Sequence, residues 1–358
     1  MKELISVIIP TYNRTKLLAN AIHSVQKQTY RNFELLVVDD YGTDGLVKMI
    51  NEISGNDNRV RYVRNNRKKG VSGARNTGIL NASGKYIAFL DSDDEWTADH
   101  LECMYNVLEK NKVNIGFTLW YEGKKGFCRA LGDDENFKNL LQRAENEINI
   151  TKGDNFYIFD KDFFQYTIMT YFYCYHLNTM VINRKTLLKY GLFDETLNSS
   201  EDCKLLFKLL CFNRFLLYMD HQYYYYYESD STYSFMDRVN VDLEKIVNDY
   251  NIVEKLTNQG LDKIKVREYS WKLLRSSAFC NKEEECRDII YRSVYNKYVT
   301  IGVINQKCSL KRSIKYLLKA FGIKKNLMPL KLIIKIYLNR IRNQLETVQI
   351  SSEYIDFF

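Results

Sequence analysis

The sequence predicts an α/β fold: a mostly parallel, Rossmann-like sheet with helices on its faces, followed by a C-terminal helical region. Three observations carry this. Short β-branched runs alternate with amphipathic segments through the first part of the chain, the pattern of right-handed βαβ units. Polar and acidic residues collect just beyond those runs, where ligands of open parallel sheets bind. Past about Val239 the periodicity becomes helical throughout.

Taken in order, Ser6 to Ile9 is a compact strand closed by the turn Pro10-Thr11-Tyr12-Asn13, and Thr15 to Gln28 places Leu17, Leu18, Ala21, Ile22 and Val25 at helical spacing. Phe33 to Val38 is a second strand ending in Asp39-Asp40, followed by a helix from Val47 to Ser54. Val60 to Val63 is a third strand and Ala74 to Asn81 a helix, after a polar segment rich in glycine. That segment has neither GxGxxG nor GxxxxGK[ST] spacing, so it is not a dinucleotide fingerprint or a P-loop; its glycines serve either close helix packing or ligand approach. Tyr86 to Leu90 is the fourth strand. A strand or hairpin is expected within Ile115 to Gly132, whereas Asp133 to Phe164 has no assignable pattern. Asn178 to Ile182 is a returning strand, Lys185 to Lys189 a short helix, and Glu201-Asp202 opens a helix with Leu205, Leu206, Leu209 and Leu210 on one face. Phe215 to Met219 and Tyr223 to Tyr227 read as two strands. Helices follow at Val241 to Leu256, Val266 to Phe279 and Glu283 to Tyr298.

At 358 residues the chain exceeds what one core usually fills, which points to a large domain with an appendage. A hydrophobic fraction of 46%, a charged fraction of 27% and only 2 Pro describe a folded globular protein. The 8 Cys show no CxxC or zinc-finger spacing, so reduced thiols in a cytosolic setting are expected. The start of the chain lacks the pattern of a signal peptide, and no apolar run is long enough to span a bilayer. The net charge of +8 is concentrated: Lys307 to Asn343 holds 11 Lys or Arg and no acid, with Ile and Leu at helical spacing. This tail either lies on an anionic membrane or belongs to a helical domain with solvated cations. Its scarcity of aromatic residues argues against nucleic acid.

The strand Tyr86 to Leu90 ends abruptly at Asp91-Ser92-Asp93-Asp94-Glu95. Carboxylates gathered at a strand end repel one another unless a hard cation joins them, so the cluster is either a divalent-metal site or an acidic turn capping the next helix. Glu201 and Asp202 likewise have a plain use, since acids stabilise a helix N-terminus. The tyrosine run either stacks on a sugar or base or packs in the core.

Several stretches together resemble the family 2 glycosyltransferases of the GT-A fold, over about Lys2 to Thr232. They are Ser6 to Arg14, Gln28 to Glu34, Val37 to Asp40, Gly73 to Gly78, Tyr86 to Asp94, and Glu201-Asp202. The resemblance implies inverting transfer of a sugar from a nucleotide diphosphate, a UDP-sugar by expectation, to an acceptor hydroxyl, with Mn2+ or Mg2+. It implies that Pro10, Tyr12, Asp39 and Asp40 hold the base, with Asp40 on the uracil imide, and that Arg75, Asp91 and Ser92 line the donor. By the same resemblance Asp93 is the metal ligand and Asp202 the catalytic base. Many relatives carry a His, often the third metal ligand, shortly before the Ser-Thr that Ser231-Thr232 resembles; here the neighbourhood is Tyr226-Tyr227-Glu228, and the resemblance puts Glu228 at the equivalent position as an oxygen ligand for the metal. The expected organisation is a catalytic domain over 1–238, a helical domain over 239–306 and a basic amphipathic tail over 307–358. The expected setting is the cytoplasmic face of a bacterial plasma membrane, building capsule, lipopolysaccharide or a similar glycan on a lipid-linked acceptor. A non-catalytic membrane-associated scaffold is the alternative class, disfavoured by the intact Asp93 and Asp202.

Overall fold

The computed structural model describes residues 2–43, 45–54, 57–124, 127–226 and 243–341. The chain divides into two units, Met1–Leu197 with Glu201–Ser229, and Asn198–Ser200 with Asp230–Phe358.

The first unit is built on one mixed sheet. Strands β1 (Ile5–Thr11), β2 (Phe33–Asp39), β3 (Val60–Arg64) and β4 (Tyr86–Phe89) run parallel in the order β3-β2-β1-β4. Every residue of β1, β2 and β4 is buried, which is why these strands read as continuous apolar runs without alternation. Beyond β4 the sheet continues through β10 (Val181–Asn183), β6 (Ile115–Lys124), β11 (Phe215–Tyr226), β9 (Phe156–Phe159) and β8 (Ile150–Lys152). β10 is antiparallel to both of its neighbours, whereas β6 and β11 are parallel. Two short strands complete it: β5 (Glu95–Trp96) pairs with β11, and β7 (Phe127–Ala130) makes the expected hairpin with β6.

Helices α1 (Thr15–Gln26), α2 (Leu46–Ser54), α3 (Val71–Asn81) and α4 (His100–Asn111) connect the strands. Leu18, Ile22 and Val25 of α1 and Leu101, Met104 and Leu108 of α4 share a core with Val7, Ile9, Leu35, Val37 and Ala88. Two glycines of the Gly70 to Gly78 segment are explained by close packing. A Cβ on Gly78 would stand 2.5 Å from Ile8 Cγ2, and one on Gly73 would stand 1.9 Å from the Lys68 carbonyl oxygen.

Several regions differ from the sequence expectation, among them Asn178 and Thr179, which form a 3-10 turn (Leu177–Thr179) ahead of β10 and not the start of a strand. The stretch Asp133 to Phe164 is ordered as α5 (Glu135–Glu147), β8, β9 and the start of α6 (Phe163–Thr170). The two strands expected at Phe215 to Met219 and Tyr223 to Tyr227 are one strand, β11; a bulge carries it from Tyr218 to His221 while β6 advances only from Thr118 to Leu119. Tyr227 lies outside the described residues. Short α7 (Arg184–Tyr190) and α8 (Glu201–Phe212) follow the expected positions.

The second unit is helical: α9 (Leu243–Asn248), α10 (Tyr250–Ser276), α11 (Glu283–Ile304), α12 (Leu310–Ile323) and α13 (Met328–Ile341). The break expected between Leu256 and Val266 is absent. The Asp249 carboxylate caps the amides of Asn251 and Ile252, and α10 then runs through Gly260, where a Cβ would meet Ile301 of α11 at 2.9 Å. Leu317 and Ala320 of α12 and Leu332 and Ile336 of α13 share a core with Val253, Val299 and Val303. The basic segment from Lys307 to Ile341 is therefore packed into the helical unit along one face.

Candidate active site

The carboxyl ends of β1, β2 and β4 open on a cleft of about 400 Å³ lined by Pro10, Tyr12, Arg14, Asp40, Val71, Arg75, Asp91, Ser92, Asp93, Asp94, Glu201 and others. This is where an open parallel sheet offers its backbone ends to a ligand. Pro10, Tyr12, Asp40, Arg75, Asp91, Ser92 and Asp93, separated in sequence, thus share one cavity. Asp39 lines a different one, of about 810 Å³, with Tyr62, Arg64 and Lys48. Its carboxylate accepts from Gly42 N at 2.7 Å and from the Tyr62 hydroxyl at 3.0 Å. Glu228 lies outside the described residues.

Asp40 is buried and held by the loop ahead of α3. It accepts from Asn65 Nδ2 at 2.7 Å and from Gly70 N at 2.8 Å, which fixes the carboxylate in the cleft wall. Tyr12, also in the lining, is half exposed, with Lys69 Nζ lying 4.3 Å from its ring centroid.

Arg75 ties the acidic clusters together. Buried on α3, it donates from Nη2 to Asp91 at 2.8 Å and from Nη1 to Glu201 at 2.7 Å. Its guanidinium also lies 5.4 Å from the Phe193 ring centroid. Burial opposes its charge, but Asp91, Glu201 and Asp202 outweigh this and raise its pKa. Burial alone would raise the pKa of Asp91; Arg75 reverses that and brings it below the usual carboxylate value. For Glu201 burial wins, reinforced by Asp202 and opposed by Arg75, and its pKa is raised. Asp202, the next residue, accepts from Cys203 N at 2.7 Å and does not line the cleft.

The acidic turn after β4 divides its labour. Asp94 is turned inward, accepting from Asn178 Nδ2 at 3.0 Å, Tyr226 N at 3.0 Å and the Tyr223 hydroxyl. Burial first, then Asp93 and Asp91, raise its pKa. One tyrosine of the run is thus a buried anchor for the turn. Asp93 faces the cleft, where Arg14 Nη1 donates to it at 2.6 Å. Asp91 and Asp93 offer hard oxygen donors, the kind that Mg2+ and Mn2+ take, and a diphosphate would supply oxygens for the remaining positions. Among the described residues no three His, Cys, Asp or Glu converge on one point.

Three contributors were not singled out from the sequence. Arg14 and Asn178 hold Asp93 and Asp94 respectively. His176 stacks on Tyr223 at 5.3 Å, beside Trp120 and Tyr225, and feels the charges of Asp91 and Asp202. Burial outweighs those carboxylates and lowers its pKa. A lone His or Asn carries no signal when its partners come from β4, β6 and β11.

Comparison with known proteins agrees with this geometry. Residues 6–178 match the family model for glycosyl transferase family 2. Over 112 residues the chain is 45% identical to the UDP-Glc:alpha-D-GlcNAc-diphosphoundecaprenol beta-1,3-glucosyltransferase WfgD of Escherichia coli, a span of 31% of this chain and 44% of that protein. The chain spans less than half the length of the curated relatives it matches. The structure of S. aureus TarS 1-349 in complex with UDP superposes with a TM-score of 0.54 at 17% identity, covering 98% of this chain and 94% of that one. The mannosyltransferase PcManGT from Pyrobaculum calidifontis, in complex with GDP-Man and Mn2+, does so with a TM-score of 0.51 at 14% identity, covering 95% and 81%. At such identities the two structures speak for the fold alone. With six motifs, the mixed sheet and the family match in agreement, residues 6–178 of the sheet unit are similar to glycosyl transferase family 2, and the unit has the GT-A fold.

Proposed function

We propose that this chain is an inverting, metal-dependent glycosyltransferase that moves a sugar from a UDP-sugar to a hydroxyl of a lipid-linked glycan in the synthesis of a bacterial surface polysaccharide. The observation that carries the reading is the chain of charge from Asp91 through Arg75 to Glu201, which joins the turn after β4 to the start of α8 at the sheet edge. The donor and acceptor classes are supported by the similarity to the Escherichia coli glucosyltransferase WfgD.

In this reading Pro10, Tyr12 and Asp40 receive the uracil, Asp40 accepting from its imide N–H. Asp91 and Ser92 border the ribose and diphosphate. Asp93, with Asp91 beside it, would hold Mn2+ or Mg2+, which when bound offsets the negative charge gathering on the departing diphosphate. Arg75 keeps Asp91 ionised and oriented toward that position. The acceptor oxygen attacks the anomeric carbon as its bond to the diphosphate breaks, and the hydroxyl proton passes to a carboxylate. Glu201 lines the cleft but is engaged by Arg75, whereas Asp202, next to it and outside the lining, has no salt bridge among the described residues; the base is assigned to Asp202 on that ground, with Glu201 as the alternative.

The test is a panel of nucleotide sugars with Mn2+ and a polyprenyl-diphosphate-linked glycan, comparing the protein with Asp202→Asn. Turnover on the UDP-sugar should fall by about 10²- to 10⁴-fold in the variant, the range for loss of a general base, while donor affinity stays within a few-fold. Near-normal transfer by Asp202→Asn would reassign the base to Glu201. No turnover of any donor by the wild-type chain would favour a scaffold.

A further inference from the structure

Helices α12 and α13 carry apolar residues on two sides, and among the described residues one side is buried and the other exposed. Tyr316, Leu317 and Ala320 of α12 and Leu332 and Ile336 of α13 are buried in the helical unit. On the other side Leu318 is 49% exposed, Leu327 62%, Ile334 58% and Tyr337 52%, with Leu338 also open to solvent. Single exposed apolar residues are ordinary, but several on two consecutive helices form a patch that water does not favour.

Cations border that patch. Lys315, Lys319, Lys331 and Lys335 have no carboxylate partner among the described residues, and from Lys307 to Ile341 the sequence contains no Asp or Glu. Some are pinned by aromatic rings: Lys319 Nζ lies 5.2 Å from the Tyr298 centroid and Lys325 Nζ 5.0 Å from that of Phe321. Arg312 is the exception in kind, being paired with Glu254.

We propose that this face of α12 and α13 rests on an anionic lipid surface, with Leu327, Ile334, Tyr337 and Leu338 in the headgroup boundary and the lysines on the phosphates. The chemistry matches on both counts, since such a surface takes apolar side chains and positive charge together. A helix of 14 residues, as α13 is, is too short to cross a bilayer but long enough to lie in its surface. A second copy of the chain fits less well, because a twofold contact would press like charges together. A nucleic acid fits less well too: the exposed apolar side chains are aliphatic except for Tyr337, leaving little to stack on bases. The proposal is independent of the catalytic reading, as it uses no residue of the cleft.

The test uses full-length protein with point substitutions, because removing α12 and α13 would also remove Leu317, Ala320, Leu332 and Ile336 from the core. Sedimentation with phosphatidylglycerol–phosphatidylcholine vesicles should carry the wild type down at low salt and less of it at high salt, whereas pure phosphatidylcholine should carry little. Lys331→Ala with Lys335→Ala should weaken binding roughly tenfold or more. Ile334→Asp with Leu338→Asp should lower the binding that survives high salt, and circular dichroism should find both variants as helical as the wild type. Equal partition onto neutral and anionic vesicles, or no vesicle binding by the wild type, would overturn the proposal. So would a face whose substitution changes only the oligomeric state by light scattering.

Discussion

At the scale of single residues, the cleft is a problem of accumulated negative charge solved by arginines. Asp91 and Glu201 share Arg75, Asp93 is met by Arg14, and Asp94 is withdrawn and satisfied by Asn178, Tyr223 and a backbone amide. If Asp93 is the metal ligand, the divalent cation competes with the Arg14 guanidinium for its carboxylate. Arg14→Ala should therefore tighten binding of Mn2+ alone, read by titration calorimetry or paramagnetic resonance. The gain should be a few-fold, the size expected for losing one partly exposed ion pair, with side chains 43% and 21% exposed. Unchanged or weaker Mn2+ binding would mean that Arg14 does not compete at Asp93. The acidic turn was legible because its charges are consecutive in sequence. The division of roles within it was not, since nothing local distinguishes Asp93 facing the cleft from Asp94 facing Asn178 of a distant segment. Asp39 and Asp40 illustrate the same limit: neighbours in sequence, they point into different cavities because successive side chains at a strand end face opposite ways.

At the scale of elements, β1, β2 and β4 were readable because every residue in them is buried and nearly all are apolar, while β3 at the end of the sheet is only partly buried. Helix α5 was not readable. It buries only Phe137, Leu141 and Ala144 among polar neighbours, too sparse a stripe to stand out, and is started by the Asp134 cap on Phe137 N at 2.9 Å. β11 was split in two because Asp220, His221 and Gln222 interrupt its apolar run; the bulge against β6 absorbs them. Helix α4 yields a prediction about pH. His100 at its first turn is fully buried, its ring 4.5 Å from that of Trp96, and neither ring nitrogen has a hydrogen-bond partner among the described residues. Burial lowers its pKa to about 3, with Asp99 pulling weakly the other way. In the unfolded chain the ring takes a proton below about 6.5, while the folded protein refuses it until near 3. The sign follows: this contribution is whole above about pH 6.5 and is lost as pH falls toward 3, by about 1.4 kcal/mol for each pH unit. His100→Phe should remove that slope, so urea unfolding at pH 7 and pH 5 should find the variant losing roughly 2 kcal/mol less than the wild type. Parallel losses would show that His100 is protonated in the folded state.

At the scale of the whole molecule, the periodicity changes from alternating to helical near Val239, whereas the contacts divide the chain into two units at Ser229/Asp230. The basic segment was harder to place because each of its helices carries apolar residues on two sides, and periodicity alone does not say which side is buried. The sheet unit has the fold of a nucleotide-sugar transferase, and its chemistry turns on whether Asp93 holds a cation for the diphosphate. The most direct measurement is UDP affinity by calorimetry, with Mn2+ and with chelator, for the wild type and Asp93→Ala. The account predicts that UDP binds the wild type at least tenfold more tightly with Mn2+, and that Asp93→Ala binds it weakly and equally under both conditions. Equal UDP affinity of the wild type in Mn2+ and in chelator would contradict it.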